Sequence, residues 1–404
     1  MIWGSTVRLP RGEGWLLASA PGRADFLNTH QDYKGLPVVP VAIKLRTYAS
    51  GRLSGNREFK VASLNMKDSG GKFVDSFQAG GPLLGGGWFG DYFRAVVNVL
   101  AEEGYLEDAE GAEVWVESEV PVGSGLSSSA ALEVSFLTLL NELYSLKLST
   151  RDVAELAYVA EHDELGIPCG RLDQYGSAFG GVILLECRPP FRVERLPSNE
   201  LLFAVFDSGV RHSTASIHPE RQREIDEGLE ALMKMNLPEE VKAKMGYRYF
   251  EPKWEEFSLG ELEPYLKRIS ETAAKRIVFT LKMQFSTVVA VKLLKGETLP
   301  PAEDELLDKV ERLPRMEALG EIVNYQHELL RDLYEVSHPK LEKIRSAVLE
   351  AGAYGAKLSG AGMGGSLIAL VDRDRAETVL GAGLKAGAAR GWISPPGEPA
   401  KIHL

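Results

Sequence analysis

Ten residues constrain this chain more than any others: Pro121-Val122-Gly123-Ser124-Gly125-Leu126-Ser127-Ser128-Ser129-Ala130. The stretch follows a strand pattern, in which Ala112, Val114 and Val116 alternate with Glu113, Trp115 and Glu117. It opens a helix, in which Val134, Leu137, Leu140, Leu143 and Tyr144 recur at steps of three and four. Gly123 and Gly125 let the backbone come close to a ligand. The helix start adds unpaired N–H groups and the positive end of a dipole, and three hydroxyls add donors or a metal ligand. In physical terms this is a cradle for a polyphosphate. A plain turn with Ser127 as the N-cap needs one serine and no pair of glycines.

Other glycine-based chemistries fit poorly. A Walker A loop needs G-x-x-x-x-G-K-[ST], yet before Gly71-Lys72 stands Met66 in place of the first glycine, and Phe73 replaces the hydroxyl. A second loop, Gly360-Ala361-Gly362-Met363-Gly364-Gly365, matches G-x-G-x-x-G in letters. It lies between the extended Ala356–Leu358 and a strand over Ser366–Val371, whereas a dinucleotide turn runs from strand to helix. Such a loop can lie against a phosphate or a substrate, or simply bend between two strands. The H-R-D and D-F-G motifs of protein kinases and the G-x-S-x-G elbow of serine hydrolases do not occur.

A length of 404 residues exceeds what one core usually serves, so two domains are expected, divided at Pro189-Pro190 into 1–190 and 191–404. Strands and helices mix without a βαβ rhythm, residues from about 220 to 350 read as helical, and the fold class is α+β. Leu299-Pro300-Pro301 and the acidic run behind it read as a surface excursion. The net charge of −11 argues against nucleic-acid binding, which runs on clustered Lys and Arg. Two cysteines, Cys169 and Cys187, make neither a disulfide framework nor a zinc site. No signal-like stretch precedes Ala20, and no apolar run approaches the roughly 20 residues that cross a bilayer. The expectation is a cytoplasmic, soluble protein without a membrane partner.

Phosphoryl transfer needs charge neutralisation, a metal on the phosphate oxygens and a positioned acceptor with somewhere for its proton to go. Glu161, at the end of the helical pattern Val153–Ala160, and Asp173, in a Gly/Pro-bounded loop, could hold Mg²⁺ and take a proton. Equally they could be solvated surface acids. Near the N-terminus, Pro21-Gly22-Arg23-Ala24-Asp25 through Asn28-Thr29-His30-Gln31-Asp32-Tyr33 crowds polar groups ahead of the apolar run Leu36–Ile43. Asp32 could grip neighbouring hydroxyls and Arg23 could offset developing negative charge. Taken alone, the segment is equally an Arg–Asp pair in a loop with a structural His30.

Three blocks together resemble the GHMP kinase superfamily: Gly22-Arg23 through Asp32-Tyr33, Pro121–Ala130, and Leu358-Ser359-Gly360 through Gly365. Three more resemble the galactokinases: Ala160-Glu161-His162 through Gly170-Arg171-Leu172-Asp173-Gln174, Val210-Arg211-His212-Ser213, and Arg331-Asp332 through Ser337-His338-Pro339. A segment at 298–316 falls outside the likeness. The resemblance implies a two-domain GHMP kinase fold, with a first domain like the ribosomal-protein-S5 domain 2 and a second that is a ferredoxin-like α/β sandwich. It implies ATP-dependent, Mg²⁺-dependent phosphorylation of a sugar's anomeric hydroxyl, with a sugar and ATP as partners and a monomer or weak homo-oligomer. Asp173 then matches the catalytic carboxylate and Arg23 its partner. Ser129 and Glu161 match the metal ligands. Gly123, Ser124, Gly125, Leu126, Ser127, Ser128 and Ser129 match the phosphate loop, with Trp88 and Tyr92 near the adenine pocket. His30, Asp32 and Gly170 match sugar contacts, and Gly362 to Gly365, Gly364 among them, match the loop lining the cleft.

Two departures bear on the sugar. Thr29 stands where galactokinases usually have a Glu that reaches the hydroxymethyl group, and Ile217-His218-Pro219 stands where they usually have a Tyr. The acceptor expected is galactose or a galactose-like sugar, with a uronic acid as one alternative, because the neutral Thr29 would repel a carboxylate less, and an amino sugar as another. A non-catalytic sugar sensor is a further alternative.

Overall fold

The computed structural model describes residues 8–106, 109–211, 217–300 and 305–403. His212 and Ser213, part of one block above, lie outside them. In the first half the chain forms β1 (Leu16–Leu27), β2 (Val39–Leu53), β3 (Phe59–Ser63), α1 (Leu64–Asp68), β4 (Val74–Phe77), α2 (Gly90–Glu102), β5 (Ala112–Ser118), α3 (Ser128–Leu143), α4 (Thr150–Val159), α5 (Leu172–Phe179), β6 (Ile183–Leu185) and β7 (Val193–Arg195). It continues as β8 (Phe203–Asp207), α6 (Ile217–Met233), α7 (Glu239–Lys242), α8 (Leu259–Leu266), α9 (Glu271–Lys295), α10 (Glu305–Val310), α11 (Arg315–Glu328), α12 (Pro339–Glu350), β9 (Gly355–Ser359), β10 (Ser366–Leu370), α13 (Ala376–Lys385), β11 (Arg390–Ser394) and β12 (Lys401–His403).

Two sheets organise the chain: a six-stranded one in the order β12-β1-β2-β5-β3-β4 and a four-stranded one in the order β11-β8-β10-β9. β5 alternates in and out as its sequence alternates, with Ala112, Val114 and Val116 buried. α3 packs across β1 and β2, and Val134, Leu137 and Leu140 enter the core beneath. α4 starts on a capping box in which Ser149 and Asp152 exchange hydrogen bonds. The fold class is α+β, as expected.

Several elements depart from the sequence reading. The polar segment from Pro21 to Leu27 is the second half of the twelve-residue β1, bulged at Pro21/Arg23 and at Asp25/Leu27. Pairing to β2 and burial under α3 hold it extended despite its charges, and each bulge re-aims the side chains that follow. α9 corrects the expectation that no segment approaches bilayer length: its 25 residues include an 18-residue window of mean hydropathy 1.6. That window is 67% buried within the protein, so α9 is a core helix, packed on α6 and α11. The described part of 298–316 is likewise not all surface: Leu306, Leu307 and Val310 of α10 are buried with Leu319 and Ile322 of α11.

The division proposed near residue 190 runs through the turn of the β6–β7 hairpin, where Pro189-Pro190 is cis. β12 crosses that division to pair antiparallel with β1. Arg46, buried in β2, fixes the returning tail by donating to the carbonyls of Glu398 (2.8 Å) and Pro399 (2.7 Å).

Candidate active site

The serine-rich turn does not behave as a plain cap. Ser127 holds the N-cap position of α3 in the left-handed region (φ 56°), makes no capping bond, and leaves its buried Oγ without a partner. A buried hydroxyl without a partner costs free energy unless a ligand satisfies it. Gly125 (φ 74°) lies so close to the second glycine loop that a Cβ there would sit 3.0 Å from the Ser359 carbonyl, and one on Gly360 would sit 3.0 Å from Gly125 Cα. Ser366 Oγ donates to the Ser124 carbonyl (2.7 Å). The two loops, more than 230 residues apart in sequence, therefore pack as one floor. Gly362 and Gly364 also have positive φ, and a Cβ on Gly362 would meet the Val336 carbonyl at 2.3 Å.

Arg23 ties this floor to the acid. Its amide donates to the Leu126 carbonyl (3.1 Å), its Nη1 to the Gly125 carbonyl (2.7 Å), and its Nε to Asp173 Oδ1 (2.8 Å), with a second contact from Nη2 to the same oxygen. Asp25 Oδ1 completes the pairing at 3.0 Å from Nη1. Burial opposes the guanidinium's charge, but Asp173 and Asp25 outweigh it and raise its pKa. The Asp173 side chain stays 24% exposed beside a guanidinium only 7% exposed, so the acid keeps access to a substrate. Asp173 is in the first turn of α5, not in a loop: Leu172 and Tyr175 pack into the core and draw the helix back to residue 172.

Asp32 and Gly170 are in contact, since a Cβ on Gly170 would fall 1.8 Å from Asp32 Oδ2. Burial, then the charges of Asp173 and Asp25, push the Asp32 carboxyl up to about 6. His30 hydrogen-bonds the Ala361 carbonyl (3.1 Å), so it too reaches the second glycine loop. Its ring lies 5.0 Å from that of His218, and burial followed by His218 depresses its pKa well below the ordinary value. Thr29 Oγ1 accepts from Lys357 Nζ (2.7 Å), a buried ammonium whose pKa burial lowers to about 8. Trp88 sits in a separate cluster, donating to Asp75 Oδ2 (3.0 Å) under the Lys72 ammonium.

Glu161, in the π-helical turn that ends α4, accepts from Gln174 Nε2 (2.6 Å) and bonds the Ser129 hydroxyl. Burial, then Asp173, raises it to about 7. Against it lies Glu133, 1% exposed, both of whose carboxylate oxygens lack a partner. Burial, then Glu161, pushes the Glu133 carboxyl well above its usual range. Sequence reasoning missed Glu133, although it follows Ser129 by four residues and so shares its helix face. Two buried carboxyls and one hydroxyl are oxygen ligands that suit a hard divalent ion such as Mg²⁺. No group of three His, Cys, Asp or Glu among the described residues could hold a metal unaided, so phosphate oxygens would have to complete the shell. Arg211, paired with Asp207 (2.7 Å), is the cation beside Gly123.

The family described as the GHMP kinases N-terminal domain matches residues 91–181, and the GHMP kinases C-terminal family matches 305–389. A galactokinase galactose-binding signature matches 11–53. Fold, paired glycine loops and these matches define a GHMP kinase. The galactokinase of Thermococcus kodakarensis is 32% identical over 366 residues, covering 89% of this chain and 90% of that one. The galactokinase of Pyrococcus furiosus is 31% identical over 369 residues, covering 90% and 91%. The crystal structure of Lactococcus lactis galactokinase complexed with galactose superposes with a TM-score of 0.80 at 25% identity, covering 96% of this chain and 95% of that one. The chain belongs to the galactokinase family.

Proposed function

We propose that the protein transfers the γ-phosphoryl group of ATP to the anomeric hydroxyl of galactose or a galactose-like sugar, giving the sugar 1-phosphate and ADP. One observation carries this reading: Arg23 bonds the Asp173 carboxylate and the Gly125 carbonyl at once, so the acid and the phosphate floor are held against each other. Gly123 to Ser129 cradle the phosphates through backbone N–H groups and the Ser127 hydroxyl. Arg23 offsets charge on the moving phosphoryl, and Asp173 receives the proton of the attacking hydroxyl. Asp32, backed by Gly170, accepts from sugar hydroxyls, while His30 closes the far side against the second glycine loop.

Ser129 and Glu161 would hold Mg²⁺, with Glu133 behind them. Bound there, the ion supplies charge neutralisation to the phosphate oxygens. The test is ADP release with galactose, galacturonate and galactosamine, followed by phosphorus NMR of the product. Expected is a sugar 1-phosphate from galactose or one of these analogues. Sugar-independent ADP release, or none with any sugar, would overturn the proposal.

A further inference from the structure

Beside the sugar grip lies a cavity of about 310 Å³, most of whose lining has no role above. It shares Asp32 and Gly170 with the proposed sugar site, but its lining includes neither Arg23 nor Asp173 nor any residue of the two glycine loops. It therefore opens on the side of Asp32 away from the reacting centre. Four aromatic rings share its walls with polar and charged groups: Tyr158, Tyr249 and Phe250, with Tyr33 lying 5.8 Å from Tyr249 ring to ring. Aromatic faces of this kind favour a ring-shaped ligand.

Two guanidinium groups line the cavity, and they differ. Arg171 is compensated, held by Glu155 (2.9 and 3.1 Å) and stacked between Tyr158 and Phe191 at 3.9 Å each. Arg188 is not. No carboxylate of the described residues lies within 4.0 Å of it; its Nη2 donates to the Pro252 carbonyl (2.6 Å), and its buried Nε has no partner. An arginine cannot shed its proton to escape this position. Gly35 fixes the placement, since a Cβ there would fall 2.7 Å from Arg188 Nε. Arg188 is only half-buried, so water meets its exposed side, and an anion brought in by a ligand would pair the rest of the fork.

Resting on the sugar-kinase reading above, we infer that this cavity is a second subsite of the acceptor cleft, that it takes an acidic sugar ring attached to the acceptor on the face gripped by Asp32, and that Arg188 selects it. The preferred acceptor is then an acidic disaccharide with a free anomeric hydroxyl rather than a single neutral hexose.

The test is steady-state kinetics of the full chain with galactose, with neutral disaccharides bearing the second ring on O3 or O4 of a reducing galactose, and with the same disaccharides ending in a uronate. Expected is a KM for the best uronate-ended acceptor about tenfold or more below that of its neutral counterpart. Arg188→Gln should erase that gap while galactose kinetics stay within about twofold. Arg188→Lys should keep part of it, because charge survives and the fork does not. Phe250→Ala, at a side of the cavity that is 51% exposed and tolerant of truncation, should weaken both disaccharides and spare galactose. Equal KM values for acidic and neutral disaccharides, or an Arg188→Gln loss equal for all acceptors including galactose, would overturn the inference. Galactose turnover with no disaccharide accepted would also overturn it, leaving the sugar-kinase reading intact. No turnover of any sugar would instead remove that reading.

Discussion

In the proposed reaction Arg23 is the pivot, because a buried guanidinium must be paired and this one donates to both Asp173 and the Gly125 carbonyl. Asp173→Asn removes the proton acceptor while keeping the shape, so kcat should fall about 10²-fold or more with the KM for ATP nearly unchanged. Rapid-quench kinetics separates the two effects. Asp32 gives a pH signature. Its raised pKa means that the folded chain holds that proton up to about pH 6, whereas the unfolded chain releases it near 3.8. Ionising it therefore weakens the fold as pH rises through that window, and the hydroxyl-accepting form is lost as pH falls through about 6. kcat/KM for the sugar should drop about tenfold per unit below pH 6. Asp32→Asn should abolish sugar binding yet raise the melting temperature at pH 8 by about 2 °C. Residue type alone left Arg23, Asp173 and Glu161 as a loop pair and surface acids, and only the motif blocks around them singled them out as candidates. Glu133 and Arg188 were not, because both matter through missing partners, and a missing partner has no signal along the chain.

At the scale of elements, the two glycine loops act as one piece. Gly125 and Gly360 touch through their backbones, so each glycine serves the other loop as much as its own ligand. Gly125→Ala places a Cβ at positive φ and within 3.0 Å of the Ser359 carbonyl, costing about 1–2 kcal/mol in conformation before any displacement. The floor must shift, and Arg23, bonded to the Gly125 carbonyl, shifts with it. The Kd for a non-hydrolysable ATP analogue should rise about tenfold or more, read by isothermal titration, while melting falls by only a few degrees. An unchanged affinity would mean that the floor does not touch phosphate. The strand–loop–helix around Pro121–Ala130 was readable because hydrophobic period and turn residues agree there. β1 was misread from Pro21 onward because its charged side chains, each paired inside the protein, imitate a loop.

At the scale of the whole molecule, the proposed catalytic pair sits on elements that are joined by closure of the chain onto itself. Arg23 rides on β1 and Asp173 on α5, and the same short tail holds both elements. β12 pairs with β1 through Leu17, Ala18 and Ser19, and the amide of Ala400 donates to the Ala178 carbonyl at the end of α5 (3.1 Å). Gly180, just past α5, has room for Pro399 only because it lacks a Cβ. None of this could be read from a Pro/Gly-rich tail, because strand pairing over nearly 400 residues leaves no local pattern. Ending the chain after Gly397 removes the β12 ladder and two of the three carbonyl partners of the buried Arg46, leaving it the carbonyl and hydroxyl of Ser19. Each lost hydrogen bond to a charged group costs about 1.5–3 kcal/mol, so the melting temperature should fall by roughly 5 °C or more. The distinguishing readout is kinetic. If the tail sets the spacing of β1 and α5, kcat should drop well below wild type at 10 °C, where the truncated chain is still folded, and the KM for ATP should hardly move, because the phosphate floor lies on the other side of Arg23. A truncated chain that melts early but turns over at the wild-type rate would reduce the tail to a stabilising strap.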